Sequence, residues 1–243
     1  VDVERVQERI LVRLLLAIKS CQRDQQTFCH QAIRETWGAH LPPGVDLRFF
    51  MGGSSMPLME ADEVYLPVDD GYWELTPKTR GICKYTVDCH YDYVYLCDTD
   101  TYLDVPKMLA SDFQKYDFSG GHLCFGEHGA ELGKPYPRQV SPRGSVCDPF
   151  YAYMSGGVGF FLSIKAAFEV SITTYYHHSE DVWVGQVLGP LIEKGILRGG
   201  VFKDFETHAV WHLNCGYYGG GHTNRISPAE AIKRHHESIR SRE

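Results

Sequence analysis

The sequence predicts an α/β fold with a mostly parallel central sheet flanked by helices, and three observations carry that expectation. Strand-like and helix-like segments alternate up to about residue 110, as they do in layered α/β chains. The apolar run Tyr93-Val94-Tyr95-Leu96-Cys97 shows little alternation, which suits a parallel strand buried on both faces. That run ends abruptly in Asp98-Thr99-Asp100, and carboxylates at the carboxyl end of such a strand emerge where open α/β sheets bind ligands. With 243 residues, 43% of them hydrophobic and 23% charged, the chain is large enough for one sizeable core and is read as a single domain over residues 1–243.

Leu11 to Ile18 reads as the first strand, and Gln25 to Trp37 as a helix with charged or amide residues on one face. Leu47 to Met51 runs into Gly52-Gly53 and reads as a second strand ending in a tight turn, followed by a short third strand from Val64 to Val68. Thr76 to His90 is expected to be helical, with Thr76 as its N-cap and Pro77 at the first helical position, where a missing N–H costs nothing. The Asp98 strand follows directly. Beyond it the chain turns glycine-rich and aromatic-rich, in Phe118 to Cys124 and again in Phe150 to Phe161. Gly126 to Pro149, with four prolines and four glycines, reads as a long loop and a candidate lid, because loops of that length in compact domains are often functional. Ser163 caps a helix through Ser171, another helix runs from Glu180 to about Lys194, and a charged helix spans Pro228 to Arg240.

Charge and composition exclude several function classes. A net charge of −7 and a pI near 5.9, with no basic run, argue against a nucleic-acid partner. No apolar stretch approaches the roughly 18 residues that cross a bilayer. Ile10 to Ile18 is broken by Arg13, so no membrane contact is expected of this stretch of chain. None of the eight cysteines forms a Cys-x-x-Cys pair, which counts against a structural zinc scaffold, and Cys124 with Cys147 is one bridge that remains open.

The spacing of Asp98 and Asp100 lets both reach one divalent cation, or lets one hold the cation while the other accepts from a ribose hydroxyl. Carboxylate oxygens suit Mg²⁺ or Mn²⁺, ions that complete their shells with phosphate and water, so a nucleoside diphosphate is the natural third party. An isolated Asp-x-Asp is also compatible with a solvated loop after a core strand. The same motif fits the nucleophile strand of dehalogenase-type phosphatases, but those place it on the first core strand, and here it follows three. A non-catalytic sugar-binding module would suit the 13% aromatic content but leaves the acids without a purpose.

Five segments together carry a resemblance. Ala32-Ile33-Arg34-Glu35-Thr36-Trp37, Asp70-Gly71-Tyr72-Trp73-Glu74-Leu75-Thr76-Pro77-Lys78-Thr79, Asp98 to Asp100, Ser155-Gly156-Gly157 and Glu180-Asp181-Val182-Trp183-Val184-Gly185 are similar, in order and interval, to the β-1,3-galactosyltransferase and Fringe-related glycosyltransferases of family 31. The resemblance covers essentially the whole chain. It implies a GT-A fold, a UDP-sugar donor, Mn²⁺ (or Mg²⁺) and an inverting transfer of a hexose or N-acetylhexosamine to a sugar hydroxyl of a glycan or glycoconjugate, with a β-1,3 linkage. Three departures stand out: Thr99 where the family commonly has a middle aspartate, Glu74 where Asn is usual, and Trp183 where Tyr is usual. On this reading residues to about 110 form a nucleotide-binding half and residues 111–243 an acceptor-binding half. The implied compartment is the Golgi lumen for a eukaryotic chain parted from its anchor, or the cytoplasm for a natively anchorless one.

The same resemblance distributes roles. Asp100 ligates the metal, Asp98 orients it or holds the ribose, and His222 is the further ligand by resemblance, with His208 or His212 as substitutes. Asp181 is the base that takes the acceptor proton and Glu180 its runner-up, although acids at a helix start are favoured by the helix dipole in any case. Arg34 and Lys78 neutralise phosphates or form ion pairs that hold the nucleotide half together. Asp70 contacts uracil or caps the turn before Tyr72, and Gly156 and Gly157 complete the cofactor-binding set.

Overall fold

The computed structural model describes residues 12–53, 60–124, 131–137, 139–140, 146–147, 149–174, 177, 179–202, 209–213 and 226–241. A seven-stranded sheet forms its centre. Its strands are β1 (Leu14–Lys19), β2 (Val45–Gly52), β3 (Glu63–Leu66), β4 (Tyr93–Asp98), β5 (Phe118–Gly120), β6 (Phe160–Ser163) and β7 (Gly199–Val201), in the spatial order β7-β5-β6-β4-β1-β2-β3. In this sheet β6 alone runs against the rest, so the mostly parallel expectation holds and the arrangement is consistent with a GT-A-like fold. Among the described residues the helices are α1 (Gln22–Gln26), α2 (Cys29–Glu35), α3 (Leu75–Asp88), α4 (Val105–Leu109), α5 (Ile164–Ile172), α6 (Glu180–Glu193) and α7 (Pro228–Arg240).

Strand alternation divides the core into two layers. Leu14, Leu16 and Ile18 of β1 pack on one face with Ala32 and Ile33 of α2 and Ile232 of α7. Leu15 and Ala17 point to the other face, among Ile82 and Cys83 of α3, Ala166 and Val170 of α5, and Trp183 and Leu188 of α6. All six residues of β1 are buried, which is why its sequence is an unbroken apolar run up to its last residue. Leu16→Ala should therefore lower unfolding free energy by about 2–5 kcal/mol, read from a urea transition.

The structure corrects several expected boundaries. The helix expected over Gln25 to Trp37 is two helices, broken at Phe28, whose φ of 64° no right-handed helix accommodates. The Thr27 hydroxyl donates back to the Arg23 carbonyl at 3.0 Å and helps close α1. Thr76 is not an N-cap. A single 3₁₀ turn over Tyr72–Glu74 runs straight into α3, leaving Thr76 inside the first turn with its hydroxyl donating to the His177 carbonyl at 2.6 Å. Pro77 also falls within that turn, where helical N–H groups lack partners in any case. Ser163 caps α5 as expected, accepting from the Ala166 amide at 3.3 Å.

Within the expected long loop, Pro135–Tyr136 pairs with Phe150–Tyr151 and Gln139–Val140 with Val146–Cys147, both antiparallel. Residues 141–145 of the candidate lid, and the Cys147 side chain that a bridge to Cys124 would use, fall outside what is described. One further ribbon matters for function: Thr101–Leu103 pairs antiparallel with Val210–His212, bringing His212 opposite Thr101.

Candidate active site

Strands β1 and β4 lie side by side, and their register pairs Lys19 with Asp98 at the carboxyl edge of the sheet. Each is the charged residue that ends an otherwise apolar strand. Lys19 Nζ lies 3.0 Å from Asp98 Oδ1 and 2.7 Å from Glu180 Oε1, and donates to the Gly156 carbonyl at 2.9 Å. Burial disfavours its charged form, but Asp98 and Glu180 outweigh that and hold its pKa well above the ordinary lysine range, so it is a fixed cation.

Beyond Asp98 the chain turns into the ribbon at Thr101, whose hydroxyl donates to the Gly157 carbonyl at 2.7 Å. His212 on the partner strand places Nε2 at 3.1 Å from Asp100 Oδ1. Asp98, Asp100 and His212 each offer one ligand atom within 4.8 Å of the others. Gly157 leaves that space open: a Cβ there would stand 2.9 Å from His212 Nε2 and 3.5 Å from Asp98 Oδ2. Burial raises the pKa of Asp98 against the pull of Lys19 and with the help of Glu180 and Asp100. Burial opposes the charged form of His212, but its bond to Asp100 prevails and raises its pKa. A buried carboxylate such as Asp98, crowded by other acids, is relieved by a cation, so the donor set fits a divalent metal ion. Gly157→Ala should weaken any divalent-cation binding at this cluster by roughly tenfold or more with the fold intact, measured by calorimetry beside a thermal melt.

Thr99, which stands where the resemblance leads one to expect an acid, is buried and donates to Asp24 Oδ2 of α1 at 2.9 Å. An aspartate at 99 would face the Asp24 carboxylate across that contact.

Glu180 and Asp181 open α6 but are used differently. Glu180 is buried and committed to Lys19. Asp181 accepts from its neighbour Val182 at 2.8 Å and from the Gly156 amide at 3.3 Å. Its pKa is pushed up to about 6, by burial first and by the adjacent Glu180 charge second. A cleft of about 240 Å³ is lined by Asp98, Asp181 and Glu180 together with Tyr72, Tyr153 and Gly157. Asp98 and Asp181 therefore share one cavity.

The other expected residues sit apart from this cleft's polar centre. Lys78 Nζ donates to Asp70 Oδ1 at 2.9 Å and to the Ser20 carbonyl at 2.5 Å, while Asp70 also accepts from the amides of Gly52 and Gln22. This knot ties β1 to β2. Arg34 grips Asp62 with two bonds, of 2.8 and 2.6 Å, and reaches Glu63 at 3.0 Å, on an open depression shared with Arg48. His222 and His208 lie outside the described residues. Lys19, Tyr72 and Tyr153 were not singled out from sequence. Lys19 carried the signal that exposed Asp98, a charge ending an apolar strand, and Tyr72 lies within one of the segments that carry the resemblance.

A mostly parallel sheet with carboxylates and an imidazole gathered at its strand ends beside an acidic helix start suits a glycosyltransferase, and the family match assigns that class. A family model described as Galactosyltransferase matches residues 30–192, and the chain belongs to that family. The match spans all five resembling segments in full and all of α2 but Cys29, and it displaces the phosphatase reading. Curated proteins yield no match. Among solved structures, the crystal structure of A197 from STIV is similar over 79% of this chain and 82% of that one, at 10% identity and a TM-score of 0.39, too loose a likeness to build on. Among the described residues, no helix is long and apolar enough to cross a membrane.

Proposed function

We propose that this chain is an inverting, Mn²⁺-dependent transferase that moves a hexose or N-acetylhexosamine from a UDP-sugar to a sugar hydroxyl of a glycan or glycoconjugate, forming a β-1,3 linkage. One observation carries the reading: a single cleft is lined both by Asp98 of the Asp98-Asp100-His212 cluster and by Asp181. Mixed oxygen and nitrogen donors fit Mn²⁺ better than Mg²⁺, which prefers an all-oxygen octahedral shell. When bound, the ion supplies Lewis-acid stabilisation of the departing diphosphate.

The remaining steps belong to the chain's own residues. Asp98, Asp100 and His212 hold the ion, and Lys19 fixes Asp98. Asp181 takes the proton of the acceptor hydroxyl as that oxygen attacks the anomeric carbon, and its pKa near 6 leaves it ionised and still basic at neutral pH. Glu180, the alternative base, is held by Lys19 through Oε1, which favours Asp181 for this role. Tyr72 and Tyr153 offer apolar walls for the C–H face of a sugar ring. Arg34 is paired with Asp62 and Lys78 with Asp70, which favours the ion-pair reading of these residues, holding the nucleotide half together. UDP release measured over UDP-galactose, UDP-N-acetylglucosamine, UDP-N-acetylgalactosamine and UDP-glucose should reveal one preferred donor, turned over with Mn²⁺ and not with chelator. Release that chelation leaves unchanged overturns the metal-dependent reading.

A further inference from the structure

Lys19 is enclosed by protein groups. Its ammonium donates to Glu180 Oε1 and the Gly156 carbonyl and is ion-paired with Asp98 Oδ1 at 3.0 Å, with the side chain 1% exposed. It therefore acts on ligands through the groups it holds. Of Asp98's two oxygens, Oδ1 is covered by Lys19, while Oδ2 is the one near the bare Cα of Gly157 and the His212 ring.

We propose that Lys19 is a specificity-determining residue for the metal: by occupying Asp98 Oδ1 it leaves that carboxylate one oxygen to offer, which favours a small six-coordinate ion over Ca²⁺. Ca²⁺ takes six to eight oxygens and commonly draws both oxygens of a carboxylate, whereas smaller divalent ions are content with one. The inference rests on the Asp98-Asp100-His212 cluster being a metal site. A purely electrostatic role for Lys19 is distinguishable from this. Removing its charge would raise affinity for every divalent cation alike, whereas freeing Oδ1 changes the ratio between ions.

Calorimetric titration of Mn²⁺ and Ca²⁺ tests the proposal directly. Lys19→Met alone strands Glu180 in a buried site, so it is paired with Glu180→Gln, and Lys19→Gln serves as a second variant that keeps a donor for Glu180. In either folded variant the Mn²⁺/Ca²⁺ affinity ratio should fall by roughly tenfold or more, the scale on which groups behind the ligands tune metal affinity. Glu180→Gln alone, with Lys19 still on Asp98, should leave the ratio unchanged. A folded Lys19 variant whose ratio stays within about twofold of the parent overturns the proposal. The parent protein offers an independent readout: Mn²⁺-induced infrared difference bands should show the wide carboxylate splitting of one-oxygen ligation, and a narrow, two-oxygen splitting overturns it as well. If the parent binds neither ion, with or without UDP, the metal reading itself fails, an outcome distinct from an unchanged ratio.

Discussion

Asp100→Asn should remove nearly all turnover while leaving the protein folded. Asp100 sits at the head of the ribbon that carries His212, and its carboxylate contacts the imidazole at 3.1 Å. Asparagine keeps the shape and part of the hydrogen bonding but offers the cation no charge. Lewis-acid stabilisation is worth several kcal/mol, and each 1.36 kcal/mol is tenfold in rate, so a loss of about a thousandfold in UDP release is expected. Asp100 is half-buried at the sheet edge and contributes little to either core layer, so the melting temperature should stay within a few degrees. A variant that unfolds instead would mark Asp100 as structural, and one that keeps turnover would remove it from the metal site.

Asp181→Asn should separate binding from chemistry. The Asn carbonyl can still accept from the Val182 amide, the shorter of the two bonds, while the 3.3 Å bond from the Gly156 amide to the other oxygen is lost, so α6 keeps its start. Affinity for UDP and Mn²⁺ should stay nearly intact while kcat falls by about 10²–10⁴, the usual worth of positioned proton transfer. The pH dependence has a definite sign. In the proposed mechanism Asp181 acts as its carboxylate, and burial beside Glu180 raises its pKa to about 6, so kcat/KM of the parent should be low in acid and rise through about pH 6. That limb should vanish in the Asn variant. A kcat/KM profile flat from pH 5 to pH 7 in the parent would point to another base.

How much of this was legible in the sequence depends on how far apart the partners lie. Asp98 could be read because a charge that ends an apolar parallel strand must emerge at the sheet edge. Lys19 has the same local signature, yet a lysine after a strand also reads as a solvated end. Its partners are Glu180, 161 residues away, and Gly156, 137 residues away, and the strand register with Asp98 exists only once β1 and β4 are adjacent. His212 was a substitute for His222 in the sequence, since a glycine-rich segment is the stronger local cue. What sets His212 beside Asp100 is the pairing of Val210–His212 with Thr101–Leu103, which no local pattern announces. The break at Phe28 was equally hidden, because Gln25 to Trp37 contains neither Gly nor Pro to mark it. Conversely, Ser163 capped α5 where it was expected, since an N-cap is decided within four residues.

The most direct measurement of the central claim is real-time proton NMR of the sugar released when the enzyme and Mn²⁺ act on the preferred UDP-sugar with water as acceptor. These donors carry the sugar in the α configuration, and displacement by a hydroxyl that Asp181 deprotonates on the opposite face must invert it. The β anomer should appear first, before mutarotation, only with the metal present, and much more slowly in Asp181→Asn. An α anomer as the first product, or equal release in chelator, would contradict a metal-dependent inverting transfer built on these residues.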